Sequence, residues 1–109
     1  MGQIVEFNWA LKIKVDFELE EGKEYTFRKN GIRVYPINIP IDLINERWEC
    51  LARVVVLEVT HKNGETSGRF KVIKLYNEEE RKFLTSYWRK VVEYIKGGEI
   101  KDFSNVKVT

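Results

Sequence analysis

The sequence predicts a mainly β fold of the α+β class, a small twisted antiparallel sheet or open barrel with one C-terminal amphipathic helix. Three observations carry that expectation. Every odd position from Trp9 to Leu19 is apolar, two Asn-Gly pairs each separate extended runs, and residues 83–95 hold an apolar stripe with helical spacing.

Taken in order, Trp9, Leu11, Ile13, Val15, Phe17 and Leu19 alternate with Lys12, Lys14, Asp16 and Glu18, the period of a half-buried strand. Glu21-Gly22-Lys23 breaks the run, and a second run from Tyr25 to Lys29 meets Asn30-Gly31. That dipeptide suits the two positive φ angles of a type I′ turn, so a hairpin is expected with Ile32 to Tyr35 as its return strand. The register of such a hairpin sets Arg28 opposite Arg33, Phe27 opposite Val34 and Thr26 opposite Tyr35. In the segment 36–43, Pro36 and Pro40 cannot donate to a ladder, and an extended edge segment is expected there rather than a central strand.

Asn63-Gly64 joins two longer runs. Its register pairs Lys62 with Glu65, Glu58 with Arg69, Leu57 with Phe70, Val55 with Val72, Val54 with Ile73, Arg53 with Lys74 and Ala52 with Leu75. Toward the base both faces of this hairpin become apolar, which requires a cover. The segment 77–96 is the expected cover: Asn77 caps it, Glu80 completes a capping box, and Phe83, Leu84, Tyr87, Trp88, Val91, Val92 and Ile95 recur at spacings of three and four. Gly97-Gly98 is the expected stop. In the tail, Val106-Lys107-Val108 is a candidate short strand.

A chain of 109 residues, 43% hydrophobic and 13% aromatic, is sized for one domain, read as 1–109 with sheet 3–76, helix 77–96 and tail 97–109. No run approaches the roughly 20 apolar residues of a membrane helix. The first residues show neither a secretory pattern nor a myristoylation pattern, and Cys50, the single cysteine, rules out an internal disulfide and a CxxC pair. A cytoplasmic protein is expected. The net charge of +2 is uneven, with nine acids against seven bases in residues 1–50 and twelve bases against eight acids in 51–109. Abundant Lys and Glu beside one Cys and one Met is also a thermophile-like balance.

The stretch Gly31-Ile32-Arg33-Val34-Tyr35-Pro36-Ile37-Asn38-Ile39-Pro40-Ile41-Asp42, followed by a strand, His61-Lys62-Asn63-Gly64-Glu65-Thr66 and another strand, resembles a family of small uncharacterised bacterial proteins. Its members share an Arg-hydrophobic-Tyr-Pro-x-x-hydrophobic-Pro core and carry a domain-of-unknown-function label. The resemblance spans roughly 25–76 and implies a compact β domain. It transfers no activity, and the long helix 77–96 departs from the shorter members.

The chemistry on offer is sparse. His61, the only histidine, stands beside a turn, and Cys50 lies among Trp48, Leu51 and Ala52, the setting of an inert thiol. No phosphate-cradling glycine motif or nucleophile elbow occurs. Asp42, Glu46 and Glu49 near Trp48 are a conceivable carboxylate pair or weak magnesium site, with solvated loop charges as the plainer reading. The sharpest signal is a conflict, since Arg28 facing Arg33 is unfavourable unless something offsets it, either a bound phosphate or carboxylate or, as the plainer reading, water or Asp16, Glu18 or Glu20 on a neighbouring strand. With Tyr35, Arg53, Arg69, Lys71 and Lys74 these arginines form a candidate basic patch for RNA or a nucleotide-like ligand. The expected function is therefore a non-enzymatic binding module without a cofactor or metal. The alternative is a protein-interaction module, using the Pro-bounded edge 36–43 or a helix face to dock another protein or a second copy; a carboxylate-based enzyme ranks third.

Overall fold

A computed structural model of the chain describes the backbone of residues 5–97 and the side chains of residues 8–94. The candidate strand at 106–108 lies outside the described residues. The elements are β1 (Val5–Phe7), β2 (Ala10–Lys12), β3 (Glu24–Asn30), β4 (Ile32–Val34), β5 (Ile41–Ile44), β6 (Cys50–Lys62), β7 (Glu65–Leu75) and α1 (Glu78–Gly97).

Five strands form one curled sheet, a half-barrel, in the order β2-β5-β6-β7-β3, and β1 pairs separately with β4. The expected sheet was antiparallel, but this one is mixed: β2 runs parallel to β5, and β1 runs parallel to β4. Parallel pairing needs a long return path, which residues 13–40 supply between β2 and β5.

Only three residues of the alternating run are paired as a strand, Ala10–Lys12. Beyond them Ile13, Val15 and Leu19 still pack on the core, while Lys14, Asp16 and Glu18 face solvent. Period 2 recorded which side chains turn inward. It did not record a ladder.

The hairpin expected at Asn30-Gly31 does not form. Gly31 has φ +86°, but Asn30 is absent from the positive-φ residues, so the type I′ turn is not made. Instead β3 pairs along its whole length with β7, placing Phe27 opposite Gly68, Arg28 opposite Ser67 and Thr26 opposite Arg69. Seven pairs replace the three that β4 offers, and two arginines avoid facing each other. The corner is pinned by the buried Thr66 hydroxyl, which accepts from Arg33 N at 2.8 Å and donates to Gly31 O at 2.7 Å.

The second hairpin does form, with Asn63 (φ 53°) and Gly64 (φ 75°) at its turn, and Lys62/Glu65 and Glu58/Arg69 stand opposite as expected. Two bulges then intervene. Leu57 is extra on β6 and Ile73 is extra on β7, so Val56 faces Phe70 and Val54 faces Val72 before Arg53/Lys74 and Ala52/Leu75 restore the expected register. Val54, Val56, Phe70 and Val72 are thereby fully buried, while Ile73 is turned outward.

The segment 36–43 divides. Residues 36–40 stay peripheral, with Ile37 and Ile39 exposed, but Ile41–Ile44 is an inner strand between β2 and β6 and is buried at all four positions. Pro40 stands just before the strand, where a missing N–H costs the ladder nothing. The helix is capped as read from sequence: Glu80 N donates to Asn77 Oδ1 at 2.8 Å, and Asn77 N donates to Glu80 Oε1 at 2.9 Å. No helix among the described residues is long and apolar enough to cross a membrane.

Candidate anion-binding face

Strand alternation decides which side chains leave the half-barrel. On β3, Thr26 and Arg28 point outward; on β7 it is Ser67, Arg69 and Lys71; on β6, Glu58 and Thr60. Cross-strand register assembles them into two rows, Arg28-Ser67-Thr60 and Thr26-Arg69-Glu58. Together with Phe27 and Gly68 they line an open depression of about 640 Å³.

The two arginines there differ. Arg69 is tied down, its Nε donating to Glu58 Oε1 at 2.9 Å and its Nη1 reaching Glu24 Oε1, and these carboxylates, Glu58 foremost, raise its pKa further. Arg28 is exposed and makes no ion pair with any other described residue. It lines the depression together with Thr26, Thr60 and Ser67, three residues whose side chains carry hydroxyls. A planar five-donor cation beside hydroxyl donors suits a phosphate or carboxylate. Lys71 extends the face next to Glu24.

The other members of the sequence-derived patch lie elsewhere. Tyr35 is in the core, its ring edge-on to Phe27 at 5.6 Å, and offers no stacking surface to solvent. Arg33 is half-buried at the β3–β4 corner, donating through Nε to Asn30 O, while His61 Nε2 donates to the Arg33 carbonyl at 2.7 Å. Arg53 and Lys74 remain opposite each other, but each has an acid: Arg53 Nη1 is 3.0 Å from Asp42 Oδ1, and Lys74 Nζ is 3.4 Å from Glu80 Oε1. Of the seven patch residues, the structure gathers Arg28, Arg69 and Lys71 and disperses Arg33, Tyr35, Arg53 and Lys74.

Asp42 corrects the loop reading. It sits on β5 at 7% exposure, a buried carboxylate amid Ile41, Leu43 and Ile44. Arg53 and the Tyr76 hydroxyl (2.6 Å) donate to Oδ1, and Trp88 Nε1 donates to Oδ2 at 2.9 Å. Glu49 belongs to a separate loop network, receiving Asn45 Nδ2 at 2.8 Å, and this bond lowers its pKa. The signal that was missed is an acid flanked by Ile41 and Leu43: buried on a strand, such a carboxylate needs donors, and Arg53, Tyr76 and Trp88 supply them. The Cys50 thiol is fully buried, and burial, with the Asp42 carboxylate beside it, pushes it up to about 12. Such a thiol is no nucleophile at neutral pH.

No protein-family model matches the chain. In sequence it is 33% identical over 85 residues to the uncharacterised protein YtmB of Bacillus subtilis (strain 168), a match covering 78% of this chain and 88% of that protein. The crystal structure of YtmB is similar with a TM-score of 0.59 at 31% identity, covering 70% of this chain and 95% of the other.

Proposed function

Because the chain belongs to the family of the uncharacterised Bacillus subtilis protein YtmB, we propose a function from its own surface: a non-enzymatic binding module that holds an anionic partner on the outer face of β3, β7 and β6. The observation that supports this reading is Arg28, an exposed residue without an ion-pair partner among the described residues, lining a depression together with Thr60 and Ser67. Phosphates of single-stranded RNA suit such a site, with Arg28 as the main donor, Lys71 as a flanking charge and Arg69 as a positioned but largely neutralised neighbour. Because the aromatic residue in the lining, Phe27, is buried at 6% exposure, contacts are to phosphate rather than to base, and sequence preference is slight.

The test is fluorescence anisotropy with a labelled oligouridylate. Few phosphates are contacted, so binding is weak and its logarithm falls with log salt at roughly 0.7 per phosphate neutralised. Arg28→Ala should weaken binding about five- to tenfold, and Arg89→Ala on α1 should leave it unchanged. Equal binding by wild type and Arg28→Ala would refute the site. A second reading rests on Ile37 and Ile39, at 44% and 51% exposure in the Pro-bounded segment, which favour docking of an apolar protein surface. It requires that Ile39→Asp abolish capture of a protein partner while oligouridylate binding persists.

A further inference from the structure

Helix α1 is apolar on two opposite sides. Its inner side faces the sheet through Thr85, whose Oγ1 accepts from Cys50 N at 2.9 Å, through Trp88 bonded to Asp42, and through the buried Val92. At 100° per residue, Phe83, Tyr87, Lys90 and Tyr94 fall within about 60° of one another on the far side. Phe83 is 72%, Tyr87 55% and Tyr94 84% exposed. A helix needs one apolar stripe to dock on its own sheet, and the second stripe is not explained by that docking.

The geometry points to a second copy of this chain as the occupant, with the two α1 helices packed antiparallel through these outer stripes. The stripe is self-complementary about a two-fold axis at the level of residues 88 and 89. Antiparallel pairing there sets Phe83 against Tyr94 of the second copy and Tyr87 against Lys90, so an aromatic pair and a cation over a ring each occur twice. On one flank Lys82 comes near Glu93 of the second copy, opposite charges again repeated by symmetry. The arrangement also opposes the two helix dipoles.

The area is adequate. At roughly 200 Å² per aromatic side chain, the three exposed rings hide about 400 Å² on each copy. The rest of a helix about 30 Å long brings the total toward the ~1,200 Å² at the lower end of specific interfaces. This surface is separate from the outer face of β3, β7 and β6, so the inference does not depend on the anion-binding reading.

Sedimentation of the full chain at about 100 µM should give twice the chain mass. Phe83→Glu should weaken association roughly thirtyfold or more with an unchanged far-UV circular dichroism spectrum, since Phe83 is the more exposed of the two rings. Tyr87→Glu should weaken it as well, but Tyr87 also packs edge-on against Trp88 at 5.6 Å, so Phe83→Glu is the deciding variant. Register is tested with thiols that leave the aromatics intact. A mixture of Lys82→Cys and Glu93→Cys chains should cross-link with a short bifunctional thiol reagent, whereas Lys82→Cys alone should not, its two copies lying roughly 20 Å apart along the helices. A monomer at 100 µM, or a dimer that survives Phe83→Glu, overturns the proposal and leaves the stripe to a different partner. Cross-linking of Lys82→Cys alone overturns the antiparallel register.

Discussion

At the scale of single residues, Gly68 is the position least able to change. It pairs with Phe27 on β3 and with Val59 on β6, next to the bulge at Leu57. The Glu58 carbonyl beside that bulge lies close to Gly68, and a Cβ at residue 68 would lie 2.2 Å from Glu58 O and 3.0 Å from two carbons of the Phe27 ring. A ring can rotate away, but a backbone carbonyl within a ladder moves only by breaking its strand. Gly68→Ala therefore should destabilise the fold by about 3 kcal/mol or more, in the range of severe overpacking. Urea denaturation followed by tryptophan fluorescence measures it. A loss below about 1 kcal/mol would mean that the bulge relaxes and does not lock the two strands. The same glycine explains why Phe27 belongs to β7 rather than to β4: only a residue without a side chain leaves room for the ring above it.

At the scale of elements, the joint between helix and sheet is the Asp42 cluster. One carboxylate on β5 collects donors from β6 (Arg53), from the β7–α1 connection (Tyr76) and from α1 itself (Trp88). The Arg53 side chain is 44% exposed, so solvent screens part of that ion pair, whereas the Tyr76 and Trp88 donors are more sheltered. Asp42→Ala should thus cost about 2–4 kcal/mol, chiefly by orphaning buried donors, and should shift Trp88 emission to the red as the helix loosens. Asp42→Asn, keeping the shape and one acceptor, should lose less. An Asp42→Ala protein with unaltered stability and emission would mean that apolar contacts alone hold the helix. Sequence made the helix itself legible, because cap, stripe and acidic first turn agree, and it made the 63–64 hairpin legible, because charge pairs and turn residues agree. It did not reveal the clamp, since Asp42 looks like a loop acid unless Ile41–Ile44 is recognised as an inner strand, and Pro40 argues against that recognition. Nor did it reveal the dispersal of the basic patch, which depended on one Asn-Gly forming a hairpin. Local turn chemistry at residues 30–31 was outweighed by pairing with β7, more than thirty residues distant, and no local signal reports on such a partner.

At the scale of the whole molecule, the strand order β2-β5-β6-β7-β3 sets the order in which the chain must assemble. Only β5, β6 and β7 have sequence neighbours beside them, and β6 and β7 are long strands, of 13 and 11 residues, joined by a two-residue turn. Closing that turn involves little chain entropy, whereas β3 must find β7 across the whole of β4, β5 and β6. The expected order is therefore that the hairpin forms first as the nucleus and that β3 docks on it afterwards, with Phe27 coming to rest over Gly68. Two substitutions separate these steps. Gly64→Ala places a side chain at φ 75° and costs about 1–2 kcal/mol; if the turn is formed in the transition state, nearly all of that loss appears as slower refolding. Phe27→Leu removes ring contacts that form late, so its loss of about 1–2 kcal/mol should appear mainly as faster unfolding, with refolding nearly unchanged. Stopped-flow chevrons of the two variants decide the matter. If Phe27→Leu slowed refolding as much as Gly64→Ala did, β3 would already be in place at the barrier, and the search for the distant partner strand, rather than closure of the local hairpin, would set the rate.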